Sequence, residues 1–371
     1  MTDIVHIVCL DAPSPPDYGG AIDMYYKIQA LGESGTEAIL HYFDYKDHRG
    51  IGELKRYCRE TYAYKRKGFM ESIIPYGPYI TRSRWNKDLI QRLNADTFPV
   101  LLEGIHCTAV LPFLRDDKRV VIRVHNDEAV YYQQLAAMES NHIRKLYFRS
   151  EANLLKNYQK SLPKTVSLAI LSSRDVSLFR YEYQFRDVHF IPCFIPWQQV
   201  SGQDGKGQYC LYHGNMEVSE NEAAAIWLIK EVFDKISIPL VIAGRGISQN
   251  LHDSATGKTH IKLISDPSLG TIDQLVSDAH IHVLPSMNAT GVKLKLLHAL
   301  FKGRFCLSNK NGVEGSGITG GLHIAEAPED WINFVGSLMK TDFSKAHRLE
   351  REPLARLYNN RLNSARLSEL W

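Results

Sequence analysis

The residues best placed for chemistry lie in "PSMNATGVKLKLLHALFKG" (285–303), where an apolar run ends in small residues and a helical pattern then begins. This spacing puts Thr290, Gly291 and Lys293 at the mouth of a helix and Lys295 within its first turns. Cations there oppose the helix dipole at a cost of a few tenths of a kcal/mol unless an anion compensates. Phosphate is the anion that this pattern suits. Two solvated lysines are the alternative. Because Lys293 and Lys295 are two apart, helical geometry predicts that they point to different faces and that one of them meets the ligand.

Three other loops carry similar potential. In "DYGG", Gly19 and Gly20 precede a helix and allow backbone to approach an anion closely, although a tight turn without ligand would read the same way. "VHNDE" gathers His125, Asn126, Asp127 and Glu128 at the end of a strong strand, with His125 as its functional candidate. The alternative is a helix start that Asn126 or Asp127 caps. "HGNM" and "AGRG" supply Gly214, Gly244 and Gly246 for close approach, and Arg245 adds a fork-shaped charge suited to phosphate.

The elements that must position these loops alternate throughout. Apolar runs "DIVHIVCL", "EAILHYF", "PVLLEGI", "RVVIRVH" and "SLAILSS" read as strands between helical patterns, including a long helix over 142–162. After a Pro-, Gly- and Gln-rich break at 196–208, "YCLYHG", "PLVIAG", "HIKLIS", "HIHVLPS" and "RFCLSN" repeat the alternation. Ser219 and Glu222 have the spacing of a capping box. We therefore expect an α/β protein of two Rossmann-like, doubly wound domains: 1–196, 197–345, and a C-terminal helix in 346–371 that packs back on the first domain. At 371 residues the chain has room for two such cores.

Composition narrows the classes. With 44% hydrophobic and 23% charged residues, the chain is neither disordered nor fibrous. A formal charge of +3 does not name nucleic acid as a partner. The six cysteines show no C-x-x-C pair, which points to a reducing cytoplasm, and neither a secretory leader nor a membrane-spanning run is expected. "GKT" at 257–259 lacks the earlier glycine of a phosphate loop. "GSGITG" at 315–320 precedes a strand pattern where a dinucleotide fingerprint would open a helix, and no fingerprint opens the first helix, so a dehydrogenase is disfavoured. "NAT" at 288–290 is a glycosylation sequon only in a secreted chain. Residues 55–90 mix basic and aromatic side chains, as in a solvated helix, a peripheral membrane contact or a grip on a lipid-diphosphate or saccharide acceptor.

In the order of these motifs, from the "GG" loop through "VHNDE", the Glu151 helix, "HGNM" and "AG-x-G" to "TGVKLKLLHALFKGRFCLSN", the chain resembles the retaining GT-B glycosyltransferases of family 4. The resemblance implies two Rossmann-like domains facing a cleft, with the nucleotide on the second and the acceptor mainly on the first. It further implies Gly19 and Gly20 against the donor phosphates and His125 facing the transferred sugar. Arg245 and Lys293 or Lys295 would hold the diphosphate, with Gly291 beside it. The family's two glutamates, eight apart, align with Thr290 and His298, so sugar and ribose recognition would differ here.

The implied reaction moves a sugar from a nucleoside diphosphate to a saccharide or lipid-linked acceptor, in polysaccharide or lipopolysaccharide synthesis. The sequence has no Asp-x-Asp motif and no carboxylate pair of glycosidase type, so fixed cations and helix N-termini are expected to stabilise the leaving diphosphate, with retention and without a metal or cofactor. A nucleotide-sugar epimerase and a non-catalytic two-lobed sugar-binding protein are the alternatives.

Overall fold

The computed structural model describes residues 3–44, 49–68, 71, 77–139 and 141–371. The chain divides into two units, one comprising the residues up to Pro196 together with Tyr358–Trp371, the other Trp197–Leu357.

In the first unit, β1 (Asp3–Cys9), β2 (Thr36–Asp44), β3 (Cys58–Lys65), β4 (Val100–Glu103), β5 (Val120–Val124), β6 (Ser167–Ile170) and β7 (Val188–Phe190) form one sheet in the order β3-β2-β1-β4-β5-β6-β7. Every pairing is parallel. Consecutive residues enter opposite cores: Val8, Leu102, Ile122 and Ile170 join one apolar cluster, Ile7, Leu101, Val121 and Ala169 the other. A sheet buried on both faces needs such unbroken apolar runs, which is why these strands stand out in the sequence.

β3 does not. Of the readings open for residues 55–90, the solvated helix does not hold at their start, where a short helical turn at Gly52–Tyr57 leads into this exposed edge strand. One-sided burial replaces the apolar run with "CRETYAYK", and Arg92 covers the Tyr62 ring at 4.2 Å. Charged side chains are suited to an edge that must not pair with another chain. Residues 72–76 of the aromatic stretch lie outside the described residues.

In the second unit, β8 (Cys210–Asn215), β9 (Leu240–Arg245), β10 (Ile261–Ser265), β11 (Ile281–Leu284), β12 (Phe305–Ser308) and β13 (His323–Ile324) pair in parallel in the order β10-β9-β8-β11-β12-β13. The "GSGITG" stretch is turn and coil leading to β13. In both sheets the strand order reverses beside the first strand, between β1 and β4 and between β8 and β11. That reversal opens the crevice in which open α/β sheets bind ligands.

Two local readings change. Helix Ser219–Trp227 has Val218 as its N-cap, without a side-chain cap. Glu222, the expected partner in a capping box, instead accepts a hydrogen bond from the Ser248 hydroxyl, itself the cap of the next helix. The C-terminal return starts at Tyr358 and not at 346, because Arg351 is buried in the second unit, where it donates to the carbonyls of Leu300, Gly303, Arg304 and Gly321. Helix Asn360–Ser368 then adds Leu367 to the core containing Met24, Ile28 and Leu31, and Asn360 exchanges two hydrogen bonds with the Ile195 backbone. Among the described residues no helix is long and apolar enough to cross a membrane.

Candidate functional site

In the first unit the reversal point is lined by charge. Helix Gly19–Glu33 starts after the extended Tyr18 and carries Asp23 and Lys27 inward, both essentially unexposed. Lys27 donates to Asp23 at 2.8 Å and to Glu103, at the end of β4, at 2.9 Å. Arg123 of β5 holds Asp23 through Nη2 at 2.9 Å and Nε at 3.2 Å, and the Phe194 amide donates to the same carboxylate. Burial works against both carboxylates, yet Arg123 and Lys27 hold Asp23 well below the usual range, and Lys27 and His125 hold Glu103 below it.

His125 lies just beyond β5, with Nε2 3.0 Å from Glu103. An ionised carboxylate only accepts, so Nε2 carries a proton, and Nδ1 is the ring nitrogen left to meet a ligand. Gly20 is beside it: a β-carbon there would stand 3.7 Å from Nδ1 and 3.1 Å from the Tyr18 ring. The fold thus brings Gly20 and His125 together at the start of one helix, with Gly19 as its first residue.

Asp23, Glu103 and His125 also place three ligand atoms within 4.8 Å of one another, the geometry that could hold a metal ion. Lys27 already pairs with both carboxylates and Arg123 with Asp23, so a divalent ion would enter against two fixed positive charges.

The remainder of "VHNDE" is structural in part. Asp127 caps helix Glu128–Met138 by accepting from the Val130 amide, and it also binds Gln159 and Tyr183. Glu128 is buried, and that burial together with neighbouring Asp127 pushes its carboxyl up to about 8 against the pull of Arg84. Such a group holds in the folded chain a proton that it loses on unfolding, so stability falls as pH rises from the ordinary carboxylate range toward 8, by up to about 1.4 kcal/mol per pH unit. Glu128→Gln is expected to remove this loss. Urea midpoints of wild type and variant should diverge between pH 5 and pH 8 in favour of the variant, and parallel midpoints would refute the assignment.

In the second unit, helix Leu294–Lys302 follows β11 across a loop that turns at Gly291, where φ is +64°. Lys293 is the N-cap with extended backbone, so the rule that residues two apart face differently does not apply to it. Instead Lys293 pairs with Glu220 of helix Ser219–Trp227, and Lys295 reaches Tyr212 and the neighbouring Asn221. Lys293 donates to Asn288 at 2.7 Å, to the Thr290 carbonyl at 2.9 Å and to Glu220 at 3.4 Å. Glu220 also accepts from Ser286 and Asn288, and Thr290 donates to Asn288 through its amide and hydroxyl. Lys295 donates to Tyr212 of β8 at 2.9 Å and to Asn221 at 2.8 Å, with its ammonium 4.5 Å from the Tyr212 ring centre. Burial brings Lys295 down to about 7, aided by Lys293 and opposed by Glu220, and burial lowers Lys293 as well.

The other sequence candidates have different surroundings. Gly214 faces Asn221, and Gly244 pairs with it across β8 and β9 so tightly that a β-carbon on Gly244 would lie 1.8 Å from the Gly214 carbonyl oxygen. Gly246 turns at φ +68° against Glu217. Arg245 is 70% exposed, with Nε 3.4 Å from Glu217. His298 stacks on Trp197 with ring centres 4.4 Å apart, and its Nε2 is 2.9 Å from Asp273. Burial outweighs Asp273 and brings His298 down to about 4.

Sequence reasoning missed Asp23, Lys27, Glu103, Asn221, Asn288 and Glu220. The legible signal was Asp23 with Lys27, a charged i,i+4 pair inside an apolar helix face.

Two parallel-sheet units of this strand order, each with its polar cluster at the reversal point, are those of the GT-B fold, and solved GT-B glycosyltransferase structures match over the whole chain. TarM matches with a TM-score of 0.70 at 10% identity, covering 100% of this chain and 99% of its own. The sucrose-phosphate synthase of Thermosynechococcus elongatus matches with 0.70 at 13% identity, covering 99% and 98%. Anabaena HepE, solved in complex with UDP and glucose, matches with 0.67 at 9% identity over the same shares. In sequence the chain is 27% identical over 344 residues, 87% of each chain, to an "Uncharacterized 44.6 kDa protein in cps region" of Klebsiella pneumoniae. No family model matches.

Proposed function

We propose that this chain is a glycosyltransferase that moves a sugar from a nucleoside diphosphate donor to a saccharide or lipid-linked acceptor in cell-surface polysaccharide synthesis. The observation that carries this reading is the Lys293–Lys295–Glu220 cluster at the strand-order reversal of the second sheet, beside the N-terminus of helix Leu294–Lys302. Half-buried ammonium groups, the amides of a helix start and a left-handed glycine suit a diphosphate. The HepE complex with UDP and glucose and the relative in a cps region support the substrate class and the setting.

In the reading we favour, the reaction proceeds with retention and without a divalent ion, in the cytoplasm. The acceptor oxygen bonds to the anomeric carbon as the bond to the diphosphate oxygen breaks, and the acceptor proton passes to that departing oxygen. Lys295, Lys293 and the helix amides stabilise the charge that grows on the diphosphate. We assign His125 Nδ1 to a hydroxyl of the transferred sugar and the Gly19–Gly20 turn to the donor phosphates. Arg245 is an exposed outer cation for the same diphosphate, and Thr290 and His298 are the residues we assign to the sugar and the ribose.

A panel of UDP-, GDP- and TDP-sugars tests this by thermal shift and by release of nucleoside diphosphate with and without saccharide acceptors. A donor at 100 times its dissociation constant stabilises by about 2.7 kcal/mol. Acceptor-dependent release is the expected result. Interconversion of donor without acceptor would make the chain an epimerase, and binding without turnover would make it a sugar-binding protein.

A further inference from the structure

Helix His142–Ser161 is amphipathic in an unusual sense. It is well started, for Asn141 accepts from the amides of Ile143 and Arg144. Its inner face is anchored in the first unit: Phe148 packs edge-on against Tyr132 at 5.9 Å, and Glu151, 4% exposed, accepts from the Tyr79 amide. Its outer face begins with two large apolar side chains in water, Ile143 at 81% and Leu146 at 69% exposed.

The charge on that helix has one sign. Buried Glu151 is its sole carboxylate, whereas Arg144, Lys145, Arg149, Lys156 and Lys160 are all cationic. At 100° per residue, Lys145, Arg149, Lys156 and Lys160 fall in one stripe on the same outer side as Leu146, along a helix about 30 Å long. Arg144 lies 3.8 Å from Glu139, the nearest acid before the helix. Two of the cations, Arg144 and Lys145, sit in the first turn, at the positive end of the dipole, where they are unfavourable without an anionic partner.

We propose that this face docks on an anionic lipid bilayer, with Ile143 and Leu146 entering the headgroup region and the basic stripe lying along the lipid phosphates. Charge complementarity selects the occupant: the stripe calls for a polyanionic surface, and exposed isoleucine and leucine at its end call for an apolar layer beneath the charge. A nucleic acid meets only the first requirement, and a second copy of this face would bring like charges together. The proposal does not depend on the sugar-transfer reading.

Cosedimentation of the full chain with vesicles tests it. Wild type should pellet with phosphatidylcholine vesicles containing roughly one third phosphatidylglycerol and remain free with phosphatidylcholine alone. Replacing Lys145, Arg149, Lys156 and Lys160 together by glutamine should weaken binding by roughly a hundredfold or more, at about fivefold per cation. Ile143→Ser with Leu146→Ser should leave binding that high salt abolishes, while wild type retains part of its binding in salt. Circular dichroism confirms that these surface variants are folded. Failure of wild type to pellet with the anionic vesicles, or equal binding by all variants, would overturn the proposal. So would tighter binding to duplex DNA than to vesicles, or a wild-type dimer that Ile143→Ser with Leu146→Ser makes monomeric without altering vesicle binding.

Discussion

Lys295→Met is expected to slow sugar transfer by at least a hundredfold, the usual consequence of removing one preorganised group that stabilises transition-state charge. Methionine keeps most of the apolar stem and removes the ammonium that meets Tyr212, so the loss reports charge and not a cavity. Free Lys295 titrates near 7, and a bound diphosphate would draw its proton back. Donor affinity should therefore fall as pH rises above 7, by up to tenfold per pH unit, and this dependence should vanish in Lys295→Met. Isothermal titration with UDP at pH 6, 7 and 8 measures it. Lys293→Met should lower transfer as well, but through two effects, because Lys293 also ties Asn288 and Thr290 into the loop before the helix. Full transfer activity in the double variant would remove this cluster from the mechanism.

Asp23→Ala is expected to cost the first unit about 3–5 kcal/mol, the range seen when one partner of a buried ion pair is removed. It would leave the guanidinium of Arg123 and the ammonium of Lys27 without their shared carboxylate, both fully buried, and take an acceptor from the Phe194 amide. A fall of roughly 10 °C in the melting temperature follows for a unit of this size. The sign with pH follows from the lowered carboxyls. Asp23 and Glu103 contribute their stability at neutral pH and lose it as pH falls below the ordinary carboxylate range, so Asp23→Ala should narrow its deficit in acid. Calorimetry at about pH 2.5 and at pH 7 checks both statements. An unchanged melting temperature at pH 7 would mean that the network carries no net stability.

These two clusters differ in how much of them the sequence shows. Both lysines and His125 were legible because each sits at the junction of a strand pattern and a helix pattern, where a polar side chain is conspicuous. Glu220 was not, since a glutamate in the first turn of a helix is ordinary. Only the pairing of β8 with β11 gives it Lys293, 73 residues away. Glu103 likewise looked like a strand end until parallel pairing set it beside Lys27, 76 residues earlier.

The sequence by itself determined the two α/β units and their doubly buried strands, because burial on both faces requires continuous apolar runs that any reader of the chain can count. It also determined which loops carry the polar residues, because strand ends and helix starts are local. Tertiary structure alone decided that "CRETYAYK" is an edge strand, that the capping position is Val218, and which carboxylate meets which cation. Those outcomes depend on neighbours brought from far along the chain, and the free energy of burying a charge is set by the partner it finds, not by its place in the sequence.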